Sequence, residues 1–358
     1  MKLREIGEFE LIERMARVFG PGGAVVAEAT TAFSRLSVGI GDDAAVWQES
    51  AGCYTVATTD AMVEGVHFTR ATTDWYDLGW KAMTSNVSDI AGMGCVPRYA
   101  LVALGATSET DVDEVLELCR GMRDLASRFG VSIVGGDTVS SPVAMITITL
   151  LGETQGGARA DGSPPLLSRF AARPGDLIAV TGQLGSSAGG LELLLHRRAP
   201  IPERYSPLLE AHRRPLPRVE EGLRLVESGV RCGMDLSDGL VGDLTRICRA
   251  SGVSVQVEVG KLPIHPLLRE RFGERAVELA LSGGEDYELL CTAPAETVSR
   301  ARLLLHAINR ELTAVGVVQD RGGEPPHVML VDETGRRYEP KRSGWEHFAA
   351  DEDATASG

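Results

Sequence analysis

The chain is 358 residues long, with 43% apolar and 24% charged side chains, and its 50 acidic against 36 basic residues give a formal net charge of −14. That length suits about two domains, each able to bury its own core. No run approaches the ~18 to 20 consecutive apolar residues of a membrane span, and the acidic balance lacks the basic surplus that neutralises nucleic-acid phosphates, so membrane and nucleic acid are both excluded as partners.

From the N-terminus, Met1 to Glu5 runs into a mixed segment without a secretory apolar core, which predicts a cytoplasmic protein. Cys53 to Thr59 is β-branched and bounded by Gly52 and Asp60, a strand; Trp75 to Met93 carries apolar residues at helical spacing, and Pro97 to Leu104 is a strand again. Asp111 to Phe129 reads as an amphipathic helix closed by Gly130, followed by strands over Val131 to Val134 and Val143 to Leu151. A Gly/Pro-rich stretch, Gly156 to Pro165, marks a boundary or hinge. Beyond it lie a strand over Asp176 to Thr181, a glycine-rich turn and helix to Leu195, a helix over Arg218 to Glu227, a strand over Met234 to Leu236, a helix over Leu240 to Ala250 and a strand over Val253 to Val259. A last unit has a strand over Tyr287 to Thr292, a helix over Ala295 to Asn309 and a strand over Thr313 to Val318. The expected fold class is therefore α/β in two mixed domains, residues 1–153 and 154–350, with 351–358 a frayed tail.

The acids sit singly or in pairs beside glycines and next to apolar strands: Asp42-Asp43, Asp60, Asp89, Asp137 and Asp235 with Asp238. One such Asp is ordinarily an Asx turn or helix cap. Five sites in one chain need another explanation, because carboxylates gathered at ~4 Å repel by roughly 4 kcal/mol per pair at an effective dielectric of 20. The six cysteines (Cys53, Cys95, Cys119, Cys232, Cys248 and Cys291) are scattered singly with no C-x-x-C pair, which removes zinc ribbons and leaves reduced thiols. Hard oxygen donors without a His/Cys set point to Mg²⁺ bridging carboxylates and substrate phosphates.

Gly39-Ile-Gly-Asp-Asp-Ala44 fits the loose G-x-G-x-x-G/A fingerprint, but two carboxylates would then face the pyrophosphate. No G-x-x-x-x-G-K-[ST] is present either, so a nucleotide would be held through metals and glycine turns. In Gly283-Gly284-Glu285, the carboxylate is either part of a tight turn or an acceptor for a ring amine or cation. His67 is either a packed residue or a phosphate contact, and Trp345 either core or a platform for a flat ring.

Taken in order, Gly7-Glu8-Phe9, Gly39 to Ala44, Thr58-Thr-Asp60 with Gly65-Val-His67-Phe68, Lys81 through Asn86-Val-Ser-Asp89 to Gly94, Gly135-Gly-Asp-Thr138, Asp235-Leu-Ser-Asp-Gly239, Ser282-Gly-Gly-Glu-Asp-Tyr-Glu288 and Gly344-Trp-Glu-His-Phe348 resemble the thiamine-monophosphate kinase family. That family is similar in turn to aminoimidazole ribonucleotide synthetase and selenophosphate synthetase. The resemblance implies an N-terminal four-stranded sheet that pairs across a homodimer into a barrel, and a C-terminal α/β sandwich-like domain. It implies ATP, several Mg²⁺ ions and transfer of the γ-phosphate to thiamine monophosphate. Carried over by position, the metal ligands are Asp43, Thr58, Thr59, Asp60, Asp89, Asp137, Asp235 and Asp238, and Asp43, Asp60, Asp89, Asp137 and Asp235 are the catalytic set. ATP contacts fall on Gly136, Asp137, Arg169 and Ser237, and thiamine phosphate contacts on His67, Glu285 and Trp345.

The acceptor is a phosphate oxygen already ionised at neutral pH, so the transfer needs charge neutralisation and alignment more than a strong general base. Two other readings stay open: an ATP-dependent synthetase of the same superfamily, and a non-catalytic Mg-nucleotide-binding module.

Overall fold

The structure is a computed structural model that describes residues 36–38, 42–48, 52–196, 200–341 and 344. The strongest pattern in the sequence is the alternation in Met145-Ile-Thr-Ile-Thr-Leu, and it forms the middle of the first sheet. Ile146, Ile148 and Leu150 point into the core while the threonines between them face the other side. The strands are β1 (Leu36–Val38), β2 (Ala45–Gln48), β3 (Tyr54–Val63), β4 (Val96–Ala106), β5 (Ser132–Ser140) and β6 (Met145–Glu153), ordered β1-β2-β3-β6-β4-β5. Only the β4–β5 pair is parallel. The expected four-stranded sheet is the β3-β6-β4-β5 portion, and the hairpin of β1 and β2 widens it to six among the described residues.

Helix α1 (Trp75–Gly92) is capped by the Asp74 carboxylate, which accepts from Asp77 N at 2.8 Å. It is buried almost all round, because it lies against β3, β4 and β6 on one side and the second half of the chain on the other. Helix α2 (Val112–Arg128) packs along α1. Among the described residues no helix covers the opposite face of the first sheet, and Tyr99, Leu101 and Val139 stand exposed there.

The second sheet comprises β7 (Leu177–Thr181), β8 (Cys232–Leu236), β9 (Ser254–Glu258), β10 (Glu288–Ala293), β11 (Leu312–Gln319), β12 (Val328–Val331) and β13 (Arg337–Tyr338), ordered β13-β12-β9-β11-β7-β10-β8. All of its pairs are antiparallel except β9–β12. Around it lie α3 (Ser186–Leu195), α4 (Ser206–Arg213), α5 (Val219–Ser228), α6 (Leu240–Ser251), α7 (Pro266–Phe272), α8 (Arg275–Ser282) and α9 (Ala295–His306). One apolar core joins α1, the first sheet, α5 and α9; a second fills the other face of the β7–β12 sheet with α3, α6 and α8.

Three sequence expectations change. The strand expected to end at Thr59 runs on to Val63, so Asp60 is mid-strand; the one expected to end at Val134 runs to Ser140, so Gly135 to Thr138 is strand and not turn. Asp89, grouped with the acids beside strands, lies in helix α1, as the helical spacing over Trp75 to Met93 predicts. Helices α4, α7 and α8 were not anticipated, because seven or eight residues hold barely two turns of hydrophobic period.

Candidate active site

Helix α1 and the C-terminal end of β8 meet over β3, and their carboxylates converge. Oxygens of Asp43, Asp89 and Asp235 lie within 4.8 Å of one another. Thr58 Oγ1 donates to Asp89 Oδ2 at 2.5 Å and Ser88 Oγ donates to Asp235 Oδ2 at 2.6 Å. Asp43 Oδ2 and Asp235 Oδ1 are buried without a hydrogen-bond partner. Gly92 permits the approach, since a Cβ there would stand 2.7 Å from Asp235 N and 2.9 Å from Asp43 Oδ2.

Burial and the neighbouring carboxylates push Asp89 and Asp235 well above the ordinary carboxylate range, against the hydrogen bonds from Thr58 and Ser88. Burial also raises Asp60, against a hydrogen bond from Ser85 and with Asp238 and Asp43 adding to the rise. Asp42 is pushed up to about 6 by burial and by Asp43, although Ser168 Oγ donates to it at 2.9 Å and Arg169 Nε lies 3.6 Å away. Such a set is stable only with positive charge, because each pair at this separation repels by roughly 3 to 4 kcal/mol. Part of that charge is built in. Arg169 pairs with Asp43, and Arg246 pairs with Asp238 and with the fully buried Asp243. The orphaned oxygens and the all-carboxylate donor set fit a hard divalent cation such as Mg²⁺.

These groups line a cleft of about 490 Å³. At its other end, Glu285 projects from a loop with φ 65°, in the left-handed region, and Glu285 N donates to Ser237 O at 2.8 Å. Gly284 is needed beside it, because a Cβ would stand 2.6 Å from Ser237 O. Lys81 Nζ donates to Glu285 Oε2 at 2.7 Å, and His212 Nδ1 lies 3.4 Å from the same oxygen. Burial pushes Glu285 up, but the charge and hydrogen bond of the Lys81 ammonium outweigh it and leave the carboxyl below its ordinary value. Ser187 Oγ is 3.2 Å from His212 Nδ1, so Ser187, His212 and Glu285 form a line that superficially suggests a nucleophilic triad. Both contacts use the same ring nitrogen, however, whereas a relay needs the serine on one ring nitrogen and the carboxylate on the other, and Ser187 is fully buried, so the line is not a nucleophilic triad.

Residues 41–154 match the AIR synthase related protein N-terminal domain and residues 173–328 the corresponding C-terminal domain. The chain is 36% identical to the thiamine-monophosphate kinase of Bacillus subtilis over 88% of its own length and 94% of the relative's. It is 34% identical to that of Aquifex aeolicus over 97% of its length and all of the relative. The chain belongs to the thiamine-monophosphate kinase family. Among solved structures, one described as AaThiL complexed with AMPPCP and TMP superposes with a TM-score of 0.79 at 30% identity, covering 97% of this chain and 99% of that one.

Of the residues expected from the kinase family motifs, Asp43, Thr58, Thr59, Asp60, His67, Asp89, Arg169, Asp235, Ser237, Asp238 and Glu285 all line the cleft. His67 is structural as well, since its Nδ1 accepts from Val63 N at 3.0 Å. Thr59 points away from the acid cluster, bonding Ile148 O and Thr149 Oγ1 at 3.1 Å each. Gly136 and Asp137 are not brought in: they sit exposed on edge strand β5, in a sheet that places β6 and β4 between β5 and β3. Asp137 pairs across the sheet with Ala103, Thr147 and then the cleft-lining Ala61, three strand spacings or about 14 Å away. Trp345 lies outside the described residues.

Sequence reasoning missed the site roles of Lys81, Ser85, Ser187, His212 and Arg246. Lys81, Ser85 and Asp89 stand at i, i+4 and i+8 on one face of α1, a readable signal once the helix is known to face the acids. His212 carried none, because α4 was not foreseen.

Proposed function

We propose that the protein transfers the γ-phosphate of ATP to thiamine monophosphate, giving thiamine diphosphate. The observation that carries this reading is the polarity of one cleft: clustered, under-partnered carboxylates at one end and a neutralised Glu285 with His67 and His212 at the other. The first end suits two anions that must be brought together through cations, the second a heterocycle. The kinship with thiamine-monophosphate kinases selects the substrates.

Asp43, Asp89 and Asp235 would hold Mg²⁺, with Thr58, Asp60 and Asp238 close enough to complete further ions. Bound Mg²⁺ supplies neutralisation of the transferring phosphoryl group and of the acceptor phosphate. The chain's own residues do the rest. Arg169 and Arg246 bring positive charge to the cleft wall, the Ser88 and Thr58 hydroxyls fix the orientation of Asp235 and Asp89, and the stiff loop around Gly284 sets the distance between the ends. The acceptor oxygen is already ionised, so transfer is direct and in line with no phosphoenzyme, in keeping with the lack of a proton relay through His212.

The homodimer belongs to the same reading. Tyr99, Leu101 and Val139 make an apolar strip on a sheet face that no helix of the described residues covers, and exposed β5 bears Gly136 and Asp137 on its margin. Pairing of two such faces would set Asp137 of one copy near the cleft of the other. No helix of the described residues is long and apolar enough to cross a membrane, and all six thiols are unpaired, which suits a reducing cytoplasm.

The test is ADP formation in Mg²⁺ with thiamine monophosphate, thiamine or aminoimidazole-type precursors as acceptor. Turnover with thiamine monophosphate alone is expected. ADP release that ignores the acceptor, or a labelled covalent phosphoprotein trapped from γ-labelled ATP, would overturn the reading or its direct-transfer step respectively.

A further inference from the structure

The recognition end of the cleft contains a charge that phosphoryl transfer does not call for. Lys81, at 2% exposure, is among the largest fully buried side chains of the protein, set in α1 with its ammonium 2.7 Å from Glu285 Oε2. Burying an ammonium is costly unless it is paired, and pairing it here spends the charge of the one carboxylate at this end that the family motif assigns to substrate. His212, a second basic group against Glu285, is pushed down to about 4 by burial and by Lys81, so it is neutral at physiological pH, and His67, the third, accepts from Val63 N through Nδ1 and so is a neutral imidazole as well. The group as a whole, Lys81 with Glu285 and His212, therefore carries no net charge.

Two consequences follow. Lys81 and His212 both meet Oε2, which leaves Oε1 as the oxygen available to a ligand. A neutralised carboxylate makes a poor counter-ion yet a good directed acceptor, because its lone pairs keep their geometry while its long-range field is cancelled. The aim of that acceptor is fixed twice, by the left-handed backbone at Glu285 and by the ammonium behind it.

We propose that Lys81 is a positioning residue for substrate selection: it pins Glu285 Oε2 so that Oε1 accepts an N–H from the uncharged aminopyrimidine ring of thiamine monophosphate, and does not serve as counter-ion to the thiazolium. The inference rests on the acceptor assigned above, and the experiment separates the two. Wild-type protein inert toward thiamine monophosphate would void both, whereas normal turnover combined with the outcomes below bears on Lys81 alone.

The full-length protein is assayed with ATP and Mg²⁺. Lys81→Met is expected to raise KM for thiamine monophosphate about tenfold or more while KM for ATP and kcat stay within about threefold, since a charge-assisted hydrogen bond is lost only at the recognition end. Lys81→Met is also introduced into Glu285→Gln, where the buried charge it leaves behind is already gone; KM of the double variant should match that of Glu285→Gln within about twofold. If Lys81→Met alone does not fold, this double variant decides. An analogue in which an uncharged thiophene replaces the thiazolium identifies the contact: Glu285→Gln should weaken it by the same factor as thiamine monophosphate. A KM for thiamine monophosphate unmoved by Lys81→Met, a further tenfold rise in the Glu285→Gln background, or an analogue indifferent to Glu285→Gln would each overturn the proposal.

Discussion

At one end of the cleft Asp89 and Asp235 are steadied by the hydroxyls of Thr58 and Ser88, with two oxygens of the cluster unpartnered; at the other end Glu285 keeps 28% of its side chain exposed and has a lysine ammonium at 2.7 Å. Burial acts in the same direction at both ends and favours the protonated acid. The outcomes are opposite, since Asp89 and Asp235 sit well above the ordinary carboxylate range and Glu285 below it. The difference lies in who supplies the cation. The chain provides its own where it must aim a fixed acceptor, and on the proposed reading it leaves the transfer end under-neutralised so that imported charge arrives with the nucleotide.

The sharpest way to break this contrast is to remove charge at the under-neutralised end. Asp235→Asn and Asp43→Asn are each expected to lower kcat by about a thousandfold, as loss of a metal-holding carboxylate takes away most of the electrostatic stabilisation of transfer. In chelator Asp235→Asn should melt no lower than wild type, because a buried, poorly paired charge has been deleted, whereas Asp43→Asn should melt lower, because it leaves the buried Arg169 guanidinium short of its partner. Steady-state kinetics across Mg²⁺ concentrations and calorimetry check the two parts. Activity within tenfold of wild type would remove these residues from the transfer end.

A second prediction concerns Asp137, which the structure leaves outside the cleft. Leu101→Glu, at an exposed position of the first sheet, should give monomers in sedimentation velocity and lower kcat by about a hundredfold, because a like-charged pair cannot be buried across the paired faces and the partner's Asp137 is lost. Fully active monomers would show that the cleft of one chain suffices.

Much of this site was legible before any coordinates, though for uneven reasons. Asp235 and Asp238 could be placed because a short apolar run followed by Asp-Leu-Ser-Asp-Gly reads as a strand end, and the structure has β8 stop at Leu236. Asp60 and Asp137 were misread locally because a Thr- or Gly-rich continuation of a strand has the same composition as a turn; only the pairing of β3 with β6 and of β5 with β4 reveals the longer strands. Lys81 is the instructive failure. A lysine amid Gly-Trp-Lys-Ala-Met looks like a solvent-facing break in an apolar helix, and nothing local says that a carboxylate 204 positions later will meet it. Lys81 and Glu285 each stand in a family motif, yet a motif does not say which residue of another motif its side chain will meet.

The smallest effect expected is one of stability, and it tests the electrostatic half of the comparison without any substrate. A carboxyl whose pKa is raised on folding binds more protons in the native than in the unfolded chain, so stability falls as pH rises through that interval. Asp42 is raised to about 6, Asp243 and Asp286 to about 7, all chiefly by burial, and Asp89 and Asp235 are raised as well. His212 works in the other direction, being lowered from 6.5 to about 4, but its contribution is complete once pH exceeds the unfolded value. The interval from pH 6.5 to 8 therefore isolates the carboxylates. In chelator, Tm should drop by about 2 to 5 °C across it. Mg²⁺ should reduce the drop without abolishing it, because Asp286 is held by the backbone N–H groups of Gly185 and Ser187 at the start of α3 and takes no part in the acid cluster. A Tm that is level or rises over this interval in chelator would mean that the carboxylates at the transfer end are already neutralised by Arg169 and Arg246, and the contrast between the two ends would vanish.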